Sequence, residues 1–588
     1  MEQVKSAYPE LSILRWIEEG CQTAPDKCLL VTADACFTYG EVRQWTISLA
    51  RYFAEELGLG AGSTVALCAP NVVHVPVVLG AAQLLDVRVA LFPPATGTAE
   101  FERAIGLVGP QLVISSDPCR FAEARGAIAD AQCMLTEGRD AGAPSVDEAM
   151  RRPIAGEAAF PDASADAPII VFTSGSTGVP KAIVNRASSF ALNGLALRKW
   201  LGVTSDDVVY LPVPLVHVFG IVGMYLTLVS QATFTTSLKY DAEEACALIE
   251  ATEATVHLGV PTNFIRELKC NEGERWNLDS LRAGLVAGAD CPAFVIEEFE
   301  KRYGCTIMQS YGMSETAATL TVTPLEYDTA ERAATLGFCI DGAQAKTDPD
   351  TGEIMCKSAS MMEGILQPNG STVLELDDGW FRTGDVGRID ERGQISMTGR
   401  LKHVIVRGGI NIFPSEIELL YKQCDDVEEC CAAAVEDEEL GHRICLGVVL
   451  RDGSTMTAED LRFYARGRID KGKIPDMVTI VDALPYLDNG KIDRGSFAQQ
   501  VQLGSKAWCR RWREGFAHRH QRHLPKRKNR PGGKERWHNS LRRKRRQSSS
   551  PTGPPSASRG WGFRAGRRRS AGRSATATAR RGTRATSP

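Results

Sequence analysis

Residues Ala167–Lys181 read APIIVFTSGSTGVPK: an apolar run enters six small polar residues and closes on Pro180-Lys181. The pattern predicts a short buried strand over Pro168–Phe172 that delivers the chain into a turn-rich loop. In that loop Thr173, Ser174, Gly175, Ser176, Thr177 and Gly178 combine hydroxyl donors with glycine backbone freedom, and Lys181 adds a point charge. Glycines let backbone N–H groups come close to phosphate oxygens, and the lysine offsets their charge. The spacing departs from G-x-x-x-x-G-K-[ST], so a Walker-type P-loop is excluded. A merely flexible Gly/Ser loop would rarely sit between a buried strand and Pro-Lys.

Outward from this loop, apolar runs alternate with helix-like stretches from about Ser12 to Leu503. Thr64–Ala69, Gln111–Ser115 and Gly284–Ala287 read as buried strands, while Tyr39–Glu56 and Ala242–Ala251 carry 3.6-residue apolar spacing. Alternation of this kind predicts an α/β fold. Turn residues every few positions in Asp377–Arg400 predict short antiparallel strands. Beyond Arg400 a smaller α/β unit is expected, with helices at Pro414–Lys422 and Ala458–Arg468 and strands near Cys431–Val435 and Ile444–Leu450.

A chain of 588 residues is too long for one hydrophobic core. No apolar run is long enough for a membrane span, and the first residues lack a basic region followed by an apolar one, so a cytoplasmic protein is expected. The 17 cysteines are scattered, with no C-x-x-C pair, and are expected to be buried, reduced thiols rather than a metal or redox site. The formal net charge of −4 conceals an asymmetry: 26 Lys and Arg face two acidic residues between Ser505 and Pro588. This Arg/Ser/Gly/Pro segment is expected to be disordered, because it has too little apolar surface to offset its ordering entropy. RRKRRQSSS could bind nucleic acid non-specifically. The favoured reading is a tail that is not an evolved domain, of the composition that a shifted frame of GC-rich coding sequence gives.

Further motifs follow in order: QSYGMSET (Gln309–Thr316), GWFRTGDVG (Gly379–Gly387), GRLKHVIVRGGINIFPSEIE (Gly399–Glu418) and LPYLDNGKIDR (Leu484–Arg494). Together with the first loop they resemble the adenylate-forming superfamily of acyl-CoA synthetases, peptide-synthetase adenylation domains and firefly luciferase, closest in character to acyl-CoA ligases. The resemblance implies a large N-terminal domain (residues 1–400) of layered α/β subdomains with a small β-barrel-like part. A small mobile C-terminal domain (401–503) is hinged to it, and the basic tail (504–588) follows. It also implies ATP, Mg²⁺ and coenzyme A as the molecules handled.

By the same resemblance Glu315 holds the magnesium, Tyr311 stacks on adenine, and Asp385 accepts from both ribose hydroxyls. Arg400 supports the ribose and phosphate side, and Lys491 reaches the α-phosphate as the main adenylation cation, joining Lys181. Gly288, Ala289, Gly312, Ser314 and Thr316 complete the nucleotide site. Lys402 is the hinge, and Gly408-Gly409 lines the pantetheine tunnel. Taken singly, Asp385 would read as an Asx-turn residue and Lys491 as an exposed turn lysine; the ordered set overrides both.

PVPLVHVFGIVG (Pro212–Gly223) resembles the element lining the acyl pocket. It carries no aspartate to pair with an α-ammonium, which disfavours an amino-acid substrate because a buried unpaired charge is costly. His217 falls where related ligases place a gate between the ATP and acyl pockets; its structural alternative is a satisfied core histidine. Phe219, Gly220, Gly312 and Met313 are expected to border a fatty or aryl acid. The expected reaction is therefore acyl-AMP formation followed by transfer to coenzyme A. NGKIDR resembles the ending of peptide-synthetase domains, which keeps open a free-standing enzyme that loads a separate carrier protein. The alternative of another class is a catalytically retired nucleic-acid-binding protein.

Overall fold

A computed structural model describes residues 11–128, 131–138, 144–153, 166–173, 181–289, 291–407, 410–437, 440–486 and 492–502. The strand announced by PIIVF spans Pro168–Thr173 and lies inside an eight-stranded sheet. It pairs in parallel with Arg88–Phe92, and beyond that lie Thr64–Cys68, Leu112–Ser115 and Gln132–Leu135. Its other neighbour, Lys181–Arg186, is antiparallel, so Thr173 and Lys181 are register partners bracketing residues 174–180.

A nine-stranded sheet is built around parallel strands Val208–Tyr210, Thr233–Thr235, Val256–Gly259, Ala283–Val286 and Thr306–Tyr311. The helices His74–Leu84 and Val218–Val229 are buried at every residue and belong to the largest core cluster. A helix that is apolar all round has to be enclosed. Helix Ala187–Leu201 packs on Val218–Val229 so closely that a Cβ on Gly194 would stand 3.0 Å from the Leu226 nitrogen.

Asp377–Arg400 forms the antiparallel strands expected of it, Phe381–Ile389 and Ile395–Arg400, in an open four-stranded antiparallel sheet. The small C-terminal unit is a five-stranded sheet with helix Pro414–Lys422 packed on strand Val427–Asp437. That helix has the expected bounds, since Pro414 at its first turn gives up no hydrogen bond. Ala458–Tyr464 is shorter than expected, and Tyr39–Glu56 is an α-helix to Arg51 continued as one π-type turn.

One expectation is corrected. Cys28 and Cys36 are not separate thiols but a disulfide, with Cα atoms 5.9 Å apart. The antiparallel pairing of Cys28–Val31 with Cys36–Thr38 brings them together. The other described cysteines form no disulfide, and burial pushes the thiols of Cys356, Cys431 and Cys445 up to about 12, which makes them inert. Among the described residues, no three His, Cys, Asp or Glu side chains group as metal ligands, and no helix is long and apolar enough to cross a membrane.

Candidate active site

The two large sheets present their candidate residues at strand carboxyl ends, where ligands bind in open α/β sheets. Thr173 ends one strand and Tyr311 another, while Gly288 and Ala289 follow the end of a third and are exposed. Past Tyr311 the chain turns through Gly312 and Met313 into a short 3₁₀ helix, Ser314–Thr316. A Cβ on Gly312 would stand 1.9 Å from the carbonyl oxygen of Ala318, so only glycine permits this turn. The Glu315 carbonyl accepts from Met362 N–H at 2.8 Å, and Glu363 N–H donates to Val184 O at 2.7 Å. Segment 362–363 thereby ties the turn to the strand that begins at Lys181.

Asp385 is the centre of the constellation. It is 2% exposed, stands opposite Arg400 in antiparallel register, and its Oδ1 meets Arg400 Nε at 2.8 Å. The Tyr311 hydroxyl donates to its Oδ2 at 2.8 Å. Thr383 Oγ1 accepts from the Asp385 N–H at 3.1 Å and fixes the turn below it. Burial and the neighbouring carboxylate raise the Tyr311 phenol far above its ordinary value, so it stays a donor.

Charges from separate parts of the chain act on one another here. Burial raises the Glu315 carboxyl; Lys181 and Arg400 oppose this and Asp385 adds to it. Lys402, in the 3₁₀ turn Leu401–His403, is lowered by burial and by Arg400, while Asp385 works in the other direction and Lys181 adds to the lowering. Glu315 and Lys402 thus each feel Lys181, Asp385 and Arg400. His403, not singled out by the sequence, is lowered to about 4 by burial and by Arg494, Lys402 and Arg400. Its signal was only its place beside Lys402.

His217 caps helix Val218–Val229, its Nδ1 accepting from Phe219 N–H at 3.4 Å, and its side chain is exposed. The core-histidine alternative is therefore set aside. Phe219 is 6% exposed, and a Cβ on Gly220 would lie 2.0 Å from Pro214 O, so this glycine lets the helix close on its own leading loop. Asn71, which sequence reasoning missed, holds that loop: Nδ2 donates to Val213 O at 3.1 Å and Oδ1 accepts from Leu215 N at 2.8 Å. Met313 packs beside Tyr311, Leu320 and Cys356. Ser174, Gly175, Ser176, Thr177, Gly178, Gly408, Gly409 and Lys491 lie outside the described residues.

The donor set fits a magnesium ion, which takes one or two carboxylates and completes its shell with water and substrate phosphates rather than an all-protein cage. Glu315, half-buried, would be such a carboxylate.

The sequence matches the family described as AMP-binding enzyme over residues 17–366 and the AMP-binding enzyme C-terminal domain over 416–491. It is 32% identical over 336 residues to a putative acyl-CoA synthetase, YngI, of Bacillus subtilis (strain 168), covering 55% of this chain and 61% of that protein. The chain thus spans about three fifths of the length of that relative. A 2-succinylbenzoate–CoA ligase of Bacillus licheniformis is 26% identical over 487 residues, 82% of this chain and 98% of that one. The structure of ATP-bound MatB from Rhodopseudomonas palustris superposes with a TM-score of 0.74 at 26% identity, covering 83% of this chain and 99% of the other. The chain belongs to the AMP-binding enzyme family.

Proposed function

We propose that this chain activates a carboxylic acid with ATP and transfers the acyl group to the thiol of coenzyme A. The observation that carries the reading is Asp385, buried between the Tyr311 hydroxyl and the Arg400 guanidinium, with its charge felt by Glu315 and Lys402, on both of which Lys181 also acts. A carboxylate so held has the acceptor capacity for a ribose diol. The surrounding cations suit the negative charge that gathers on phosphate oxygens during displacement.

In the first step a substrate carboxylate oxygen attacks the α-phosphorus and pyrophosphate leaves. In the second a thiol attacks the acyl carbon, loses its proton, and AMP leaves. Asp385 and Tyr311 would orient the nucleoside, Lys181 and Arg400 would stabilise phosphate charge, and Lys491 would reach the α-phosphate. Glu315 would hold magnesium, which supplies charge neutralisation across the phosphates when bound. His217, Phe219, Gly220 and Met313 would bound the acid, which we propose is fatty or aryl, since Pro212–Gly223 offers no carboxylate for an ammonium. All these charged groups being present supports a working enzyme over a retired one.

The test is a panel of fatty, aryl and amino acids assayed for pyrophosphate release, with coenzyme A, with a carrier protein, or with neither. Release with fatty or aryl acids and thioester formation on coenzyme A are expected. Thioester on the carrier alone would reassign the acceptor, and no acid-dependent release would overturn the reading.

A further inference from the structure

Helix Ala187–Leu201 follows directly on the strand that begins at Lys181, and midway along it lies Asn193, 0% exposed. Its Nδ2 donates to Thr316 O at 2.9 Å and to Ala317 O at 2.6 Å, the two carbonyls at the exit of the turn bearing Glu315. Both neighbours are acceptors, so the amide must face them with its NH₂ group. Its Oδ1 finds no hydrogen-bond partner among the described residues. That buried cost is accepted for the sake of the two donors.

The turn needs such a restraint. Ala317 has φ 52° and Ala318 φ 93°, two consecutive non-glycine residues with positive φ, a conformation that alanine adopts at a cost. The same excursion brings Ala318 O under Gly312. Asn193 is itself rigidly mounted, since the adjacent Gly194 packs against the backbone of Tyr225 and Leu226. One helix therefore joins the strand of Lys181 to the turn of Glu315.

We propose that Asn193 is a positioning residue: it holds the strained Thr316–Ala318 turn so that the Glu315 carboxylate is set for the metal–phosphate group. The proposal rests on the reading of Glu315 given above. Adenylation then depends on Asn193 through the metal, whereas transfer from preformed acyl-AMP, which has no metal–pyrophosphate to hold, does not.

The test compares Asn193→Ala, Asn193→Ser, Ala317→Gly and Glu315→Gln with the intact chain. For Asn193→Ala, the Mg²⁺ concentration giving half-maximal pyrophosphate exchange is expected to rise about tenfold, with the KM for the acid nearly unchanged. The rise in Tm on adding Mg²⁺–ATP is expected to shrink, while that on adding AMP in chelator persists. Ala317→Gly, which relieves the positive-φ strain at that position, should leave the metal dependence of the intact chain nearly unchanged and, combined with Asn193→Ala, bring it part of the way back. Asn193→Ser, which keeps one hydroxyl donor for the two carbonyls, should show a smaller rise in the same direction and carries the test if Asn193→Ala does not fold. Unchanged metal dependence in Asn193→Ala and Asn193→Ser, or equal loss of the two half-reactions in Asn193→Ala, would overturn the proposal. Unchanged metal dependence in Glu315→Gln would instead refute the reading of Glu315.

Discussion

The hydroxyl of Tyr311, at the carboxyl end of a parallel strand, donates at 2.8 Å to Asp385, whose carboxylate belongs to a different sheet. Arg400 meets the same carboxylate from the adjacent strand. Tyr311→Phe keeps the ring but leaves a buried carboxylate short of one donor, a loss of about 1.5–3 kcal/mol for a hydrogen bond to a charged group. We expect the KM for ATP to rise about tenfold while the acid KM holds. Asp385→Ala should cost at least a hundredfold in adenylation, on the scale of about 3 kcal/mol. Pyrophosphate exchange measured against each substrate separately checks both.

Gly312→Ala should be far worse than a surface glycine substitution. The new methyl would stand 1.9 Å from a backbone oxygen, so the turn has to move. Overpacking of this kind costs about 1–3 kcal/mol, and any shift displaces Glu315, three residues on. A lower Tm together with adenylation reduced by about a hundredfold or more is expected; normal exchange rates would show that the turn can shift without consequence.

Asp207 contributes to the acid limb of stability. Burial pushes its carboxyl up, but Arg282 in two contacts at 2.9 Å, Thr255 and the Thr204 N–H prevail and hold it at about 2. A carboxyl lowered in the folded state adds stability above its unfolded value near 3.8, and that stability is lost as pH falls toward 2. The contribution at neutral pH is about 2–3 kcal/mol. Asp207→Asn should lower Tm at pH 7 and flatten the dependence between pH 4 and 2 in thermal scans.

The Cys28–Cys36 bond closes a separation of eight residues beside the parallel pair Leu30 and Phe234. A loop that short restrains the unfolded chain by about 2–3 kcal/mol in the chain-entropy account. Cys36→Ser should therefore lower Tm by several degrees without reductant, and dithiothreitol should bring the intact chain down to match it. Equal Tm values without reductant would count against a stabilising bond.

What the sequence makes legible is local. Pro414–Lys422 is readable because a proline start and one apolar face determine a helix, and Asp377–Arg400 because its turns leave room only for short strands. Asp385 and Arg400 are legible as motif residues, but their opposition across two strands is a matter of register. Strand Cys28–Val31 joins the second sheet through residues some 200 positions away, which no local period announces. Asn193 and Asn71 were illegible for the same reason: each is one polar residue in an apolar stretch, and its meaning lies in distant carbonyls.

Lys402 separates a two-state mechanism from a rigid one. It sits in the 3₁₀ turn between strand Ile395–Arg400 and strand Ile405–Arg407, where the large and small units meet. Ser415 Oγ donates to Thr398 O, and a Cβ on Gly399 would stand 2.7 Å from the Phe413 ring, so this junction is packed in the present arrangement. Rotation of the small unit after adenylation would have to be absorbed by torsions near Lys402. Lys402→Pro fixes φ near −65° and removes the N–H, so it should trap one arrangement. Adenylation should then fall by less than about tenfold while thioester formation falls by orders of magnitude, since only the second step needs the rotated state. Because the Lys402 ammonium lies within reach of Arg400, Asp385 and Lys181, the loss of charge has to be separated from the loss of torsional freedom. Lys402→Ala does this: it removes the ammonium and keeps the backbone free, and both half-reactions should stay within about tenfold of the intact chain. Pyrophosphate exchange reports the first step and transfer from supplied acyl-AMP the second. Equal losses in Lys402→Pro would indicate damage to the junction, and no loss would place the hinge elsewhere. A collapse of thioester formation in Lys402→Ala as well would make the charge, not the torsion, the essential property.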